Sequence, residues 1–99
     1  MRQIDVLDRA RLLVDFNEMI DKDLLLLSVQ DSKVDSSGEE IELSEGKSVF
    51  VYEDDYDEKN EKDYLVADGI CELNKIKHFT HVKWCIRIDD KGIRHLSDL

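Results

Sequence analysis

Apolar and polar side chains recur at helical spacing through the first segment of the chain. Apolar residues recur every three or four positions, at Val6, Ala10, Leu13, Phe16 and Ile20. Polar residues recur on the opposite side, at Asp8, Arg11, Asp15 and Glu18. This periodicity is typical of an amphipathic helix that buries one face. The pattern therefore predicts a helix over residues 4–21, with Asp8 and Arg11 paired on its surface.

A run of four leucines opens the next apolar segment, Leu24–Val29. The segment is too short to cross a membrane, and its length suits a strand that is covered on both faces. We predict a strand over residues 24–30, with a continuation of the helix as the alternative. The polar stretch 30–40 contains Ser-Ser-Gly, which predicts a turn or a loop.

Four further strands are predicted from alternating β-prone residues, over 47–53, 64–73, 82–89 and 92–96. Gly69, inside the second of them, predicts a bulge or a sharp bend. The third has one apolar face, formed by Val82, Trp84, Ile86 and Ile88. Asp89–Gly92 has the composition of a short hairpin turn into the last strand.

Together these elements predict an α+β fold. An N-terminal helix would pack on a curled antiparallel sheet of about five strands, of which a small, partly open SH3-like barrel is one form. The 99 residues suffice for one hydrophobic core, so we predict a single domain over residues 1–99.

Charge is strongly acidic and unevenly distributed. The net charge is −10, with −13 in residues 1–74 and +3 in residues 75–99. Such a charge repels nucleic acid and anionic lipid and attracts basic proteins. Two cysteines without a CxxC pair, and an N-terminus without an unbroken apolar stretch, predict a cytoplasmic protein that does not insert into membranes.

The densest acidic tract runs from Glu53 to Asp63. It fails as a calcium loop because Lys59 and Asn60 stand where a ligand and a glycine are required. One interpretation is a solvated hairpin loop. The other is a partner-binding surface, because tyrosine is common in binding hot spots; its residues are Tyr52, Glu53, Asp54, Asp55, Tyr56, Asp57, Glu58 and Glu61.

Metal and catalytic chemistry find little support in the sequence. Cys71, His78, His81 and Cys85 are all possible zinc ligands, but their spacing is not that of a structural zinc site, so we interpret them as unlinked. No nucleophile elbow, phosphate-binding loop or HExxH motif is present. We therefore predict neither catalysis nor a bound metal or cofactor; a small enzyme or metal protein using these four residues is the third hypothesis.

A basic C-terminal segment supplies the second functional hypothesis. Lys83, Arg87 and Arg94 could bind nucleic acid or an acidic partner, although the overall charge opposes nucleic acid. The first hypothesis is a non-catalytic domain whose acidic surface binds a basic protein. Inhibitors and immunity-type proteins that neutralise nucleic-acid-handling proteins work in this way, because a negative surface can occupy a positive cleft.

Overall fold

Strands dominate the computed structural model, which describes residues 7–56, 59–60, 62–75 and 81–99. The eight strands are β1 Leu12–Leu13, β2 Leu24–Ser28, β3 Ser32–Val34, β4 Glu40–Glu42, β5 Ser48–Tyr56, β6 Lys62–Leu73, β7 Trp84–Ile88 and β8 Arg94–His95. Two short 3₁₀ helices accompany them in the described part of the chain, at Phe16–Glu18 and Leu96–Asp98.

Six of these strands form one curled half-barrel sheet. Its order is β1-β5-β6-β7-β2, and β8 pairs with β6 beside β7. The pairing of β1 with β5 is parallel, and every other pairing in the sheet is antiparallel. Strands β3 and β4 form a separate two-stranded hairpin. The predicted curled sheet is confirmed at this level.

The predicted helix over 4–21 is wrong, and with it the α+β class. No helix of seven or more residues occurs in the described part of the chain, and the fold is mostly β. Leu12 and Val14 are buried whereas Leu13 is 50% exposed, which is the period of a strand. The backbone of this segment pairs with β5, and the Val14 amide donates to the Tyr52 carbonyl at 2.9 Å. Pairing with an open sheet edge outweighs the helical pattern.

Arg11 departs furthest from that pattern, because only 2% of it is exposed. Its guanidinium donates to both carboxylate oxygens of Asp8, at 2.8 and 2.9 Å, and to Asp68 at 2.8 Å. It also donates to the carbonyls of Val51 and Ala67, each at 3.3 Å. The predicted Asp8–Arg11 pair therefore forms, but it lies against the sheet instead of on a helix.

The leucine run is a strand, covered on both faces. Leu25 and Leu27 belong to the main core, which β5, β6 and β7 complete. Leu24 and Leu26 face a second apolar cluster with Cys85 and Val82. Val82 therefore packs with Cys85 on the face opposite Trp84, contrary to the single apolar face predicted for 82–89. On this second face Cys85 pairs with Leu26, whereas Arg87 pairs with Leu24.

The polar stretch predicted as a loop contains the β3–β4 hairpin. Its turn is held by the Asp35 carboxylate, which accepts hydrogen bonds from the Ser37 and Glu39 amides and from the Ser37 hydroxyl. The turn reaches β1, since the Ser36 amide donates to the Arg11 carbonyl and the Ser36 hydroxyl accepts from the Arg11 amide. The side chains of this hairpin are mostly polar, so its sequence lacks the alternation of apolar residues that predicts a strand.

Strand β6 changes partners at Gly69. Its N-terminal part pairs with β8 at Leu65 and Val66, and its C-terminal part pairs with β7 from Gly69 onward. The register with β5 is unbroken, so glycine marks no bulge in that pairing. A side chain at Gly69 would overlap the Arg87 carbonyl of β7. Glycine is required here for close approach of two backbones.

The predicted C-terminal hairpin is also corrected. The turn forms as expected, with Gly92 at φ 69° and its amide donating to the Asp89 carbonyl at 3.1 Å. The strand beyond it, β8, pairs with β6 and not with β7. In the described part of the chain, no helix is long and apolar enough to cross a membrane.

Candidate protein-binding groove

An open groove of about 770 Å³ lies where the half-barrel is incomplete. One wall is the segment from β1 into the first 3₁₀ helix, and the other is formed by β2, the turn after it and β3. Fourteen residues line the groove: Leu13, Val14, Asp15, Glu18, Leu26, Leu27, Ser28, Val29, Gln30, Ser32, Lys33, Glu53, Asp54 and Val82. We call this surface the acidic groove.

The floor of the acidic groove exposes apolar surface. Leu13 is 50% exposed and Val29 is 55% exposed, on opposite walls. Leu26 and Leu27 of β2 also line the groove, although both are largely buried. Exposed apolar side chains with a polar rim are characteristic of interaction sites.

The rim is negative. Asp15, Glu18, Glu53 and Asp54 supply four carboxylates, and Lys33 is the one cation among the lining residues. Lys33 is half-buried and donates from Nζ to the Leu27 carbonyl at 3.1 Å. Burial lowers the pKa of Lys33, and the negative charge of Glu18 opposes that shift. The groove therefore presents a net negative field to anything that enters it.

Local backbone structure holds these carboxylates in place. Asp15 caps the 3₁₀ helix by accepting from the Asn17 amide at 2.9 Å, and Glu53 accepts from the Phe16 amide at 3.3 Å. Within the described residues, neither these two carboxylates nor that of Glu18 forms an ion pair. Their charge is therefore available to a partner.

The predicted acidic surface is divided by the structure. Strand β5 runs to Tyr56, three residues beyond the predicted strand end at 53, so Asp54, Asp55 and Tyr56 belong to a strand and not to a loop. Asp57, Glu58 and Glu61 lie outside the described residues. Glu53 and Asp54 line the acidic groove, Asp55 lies 3.2 Å from His95, and Tyr56 is exposed. Tyr52 is half-buried and packs edge-on against Tyr64, with ring centroids 5.7 Å apart.

The predicted basic face is largely neutralised. Lys83 lies 2.6 Å from Asp31, and Arg87 lies 2.7 Å from Asp23 and 2.9 Å from Glu72. These hydrogen-bonded carboxylates raise the pKa of Arg87 above its ordinary value. The remaining member, Arg94, has a buried Nε without a hydrogen-bond partner among the described residues.

The three predicted zinc-ligand candidates that the structure describes, Cys71, His81 and Cys85, do not form a metal-binding group. Cys71 shares a sheet face with Ile86 in the main core, whereas Cys85 faces the second cluster. His81 is exposed, and His78 lies outside the described residues. Across the described ranges, no three His, Cys, Asp or Glu side chains are placed to hold a metal ion.

Of the fourteen residues that line the groove, two belong to the site predicted from the sequence, Glu53 and Asp54. The predicted helix contains Leu13, Asp15 and Glu18, and the predicted strand over 24–30 contains Val29. The one signal that could have placed them is the adjacency of Leu12, Leu13 and Val14, which fits a strand as well as a helix. Comparison of the chain with models of protein families, with curated proteins and with solved structures finds no match.

Proposed function

We propose that this chain is a non-catalytic protein-binding domain of the cytoplasm that binds a basic protein partner through the acidic groove. The single observation that carries the proposal is the combination, in one groove, of exposed apolar side chains with three carboxylates, those of Asp15, Glu18 and Glu53, that form no ion pair among the described residues. An inhibitor or immunity-type protein that occupies the basic cleft of a nucleic-acid-handling protein is the class this surface fits best.

Both components of the surface contribute to such binding. Apolar residues at the floor give affinity as water leaves them, and the carboxylates speed the encounter and select for positive charge. Asp15, Glu18 and Glu53 form no ion pair with any described residue, so a basic partner does not have to break such a pair first. Binding through the ion-paired Lys83 and Arg87 would carry that cost, and the nucleic-acid alternative is therefore less supported.

The test is capture of a partner from the native host at low salt, with two charge-matched variants. The groove variant carries Asp15→Asn, Glu18→Gln and Glu53→Gln. The control carries Glu39→Gln, Glu40→Gln and Glu42→Gln on the β3–β4 hairpin, outside the groove. Both remove three negative charges, so a difference between them reports position and not total charge.

We expect the unmodified chain and the control to retain one basic protein and the groove variant to lose it. Association of the groove variant should be about tenfold slower than that of the unmodified chain and should depend less on salt, because fewer charges remain to steer the partner. Equal retention by the two variants would contradict the proposal.

A further inference from the structure

The edge of β1 presents unpaired backbone to the acidic groove. Alternate residues of a strand direct their amide and carbonyl groups to the same side. Val14 bonds to β5 through its amide, whereas Arg11 bonds to Ser36 on the other side. Leu13 therefore directs its amide and carbonyl away from β5, and neither has a partner among the described residues.

An exposed strand edge is a template for pairing with another chain. Here the edge is short, it lines the groove, and the Leu13 side chain is itself half exposed. A helix laid in the groove would leave these backbone groups without partners, whereas an extended segment would satisfy them. Extended segments that add to a sheet edge gain affinity from backbone hydrogen bonds and specificity from alternate side chains.

We infer that the acidic groove takes an extended partner segment in which lysine or arginine alternates with apolar residues. This inference rests on the proposed function and names its mode of recognition. Alternate side chains of a strand point to opposite faces, so the apolar ones meet Leu13 and Val29 while the basic ones meet Glu18 and Glu53. The segment pairs with β1 at Leu13 and extends the curled sheet.

The occupant is a foreign basic segment and not a second copy of this chain. The chain carries −10 net charge, and two copies meeting at this edge would bring the same carboxylates together. Charge complementarity and the unpaired Leu13 backbone both favour an extended cationic chain.

The experiment uses four short peptides capped at both ends. The first alternates lysine with valine. The second has the same composition in an order with helical period. The third and fourth repeat the first with backbone N-methyl groups on every second residue, the third blocking one edge of the strand and the fourth the other. Binding to the full chain is measured by titration, and hydrogen exchange of the Leu13 amide is followed by NMR.

We expect the alternating peptide to bind most tightly and to protect the Leu13 amide. N-methylation of the edge that faces β1 should weaken binding by about tenfold, because it removes backbone donors without changing any charge. Methylation of the other edge serves as the matched control and should weaken binding less.

Strand addition would be overturned by any of three results: equal binding of both methylated forms, a Leu13 amide that is not protected, or no binding of the alternating peptide. The groove variant with Asp15→Asn, Glu18→Gln and Glu53→Gln separates the two proposals. If it still loses the native partner while strand addition fails, the acidic groove stands as a binding site and its mode of recognition does not. If it keeps the partner, the proposed function itself fails.

Discussion

Arg11 and Asp68 lie 57 positions apart in the chain and are joined by a hydrogen bond of 2.8 Å between Nη1 and Oδ1. The bond ties the segment before β1 to the centre of β6. The same guanidinium holds Asp8 and the carbonyls of Val51 and Ala67, so it pins the N-terminal segment across two strands. A cation this deeply buried is stable only while its carboxylates are present.

The substitution Asp68→Asn should lower the free energy of unfolding by about 2 kcal/mol, because it removes one of the two negative partners of a buried cation. Urea unfolding of the variant measures the change. Asp90→Asn is the control, since Asp90 is exposed and should shift stability by less than about 0.5 kcal/mol. Equal stabilities of the two variants would show that Arg11 does not need Asp68.

Acid should destabilise the chain through Asp8. The hydrogen bond from Arg11 holds the pKa of Asp8 below its ordinary value, against the opposing effect of burial. A lowered folded-state pKa stabilises the fold above the unfolded-state value of about 4, and this stabilisation is lost as pH falls through the lower folded-state value. Thermal melting between pH 6 and pH 2 measures the loss. Asp8→Asn should flatten the profile below about pH 4; an unchanged slope would count against the pair.

Gly69→Ala should destabilise the chain by about 2 kcal/mol or more, since the added methyl group would overlap the Arg87 carbonyl and the Ile86 side chain. Ser48→Ala is the matched control, because Ser48 is exposed on the neighbouring strand. Chemical denaturation compares the two variants. A tolerated alanine at 69 would mean that β6 and β7 do not approach so closely.

Neither cysteine should react with thiol reagents in the folded chain. Burial raises the pKa of Cys85 to about 11 and also raises the pKa of Cys71. Both thiols are therefore protonated near neutral pH as well as inaccessible. Treatment with a chromogenic disulfide reagent near pH 8 should label both cysteines in guanidinium and neither in buffer. Rapid labelling without denaturant would contradict the buried placement.

Much of the sheet follows from local sequence. The leucine run predicts a strand buried on both faces, and the alternation around Trp84 predicts a core face there, because burial leaves a direct trace in residue type. The prediction for the N-terminal segment is wrong because Ala10, Leu13 and Phe16 fit a helical repeat, whereas the structure buries Leu12 and Val14 and exposes Leu13. Pairing with the edge of β5, which is distant in the sequence, determines that this segment is a strand and not a helix. Arg11 is predicted to be a surface residue because its neighbours in the sequence do not indicate its contact with Asp68.

The groove was partly predictable for a similar reason. The high local density of acidic residues in the sequence predicts Glu53 and Asp54 as site residues. Asp15 and Glu18 carry the same charge but join them only when the chain returns from β1 towards β2. The opposite wall comes from Val29 and Lys33. A site built from three separate segments leaves no single pattern in the sequence.

The carboxylates around Leu13 also bear on how the chain behaves among its own copies. Exposed strand edges invite polymerisation, and globular proteins commonly guard them with charge. Here Asp15, Glu18 and Glu53 place charge of one sign beside the edge, so two copies that met there would repel each other. We expect this repulsion to disfavour edge-to-edge polymerisation at the point where the sheet is left open, whereas the proposed cationic partner would not meet it.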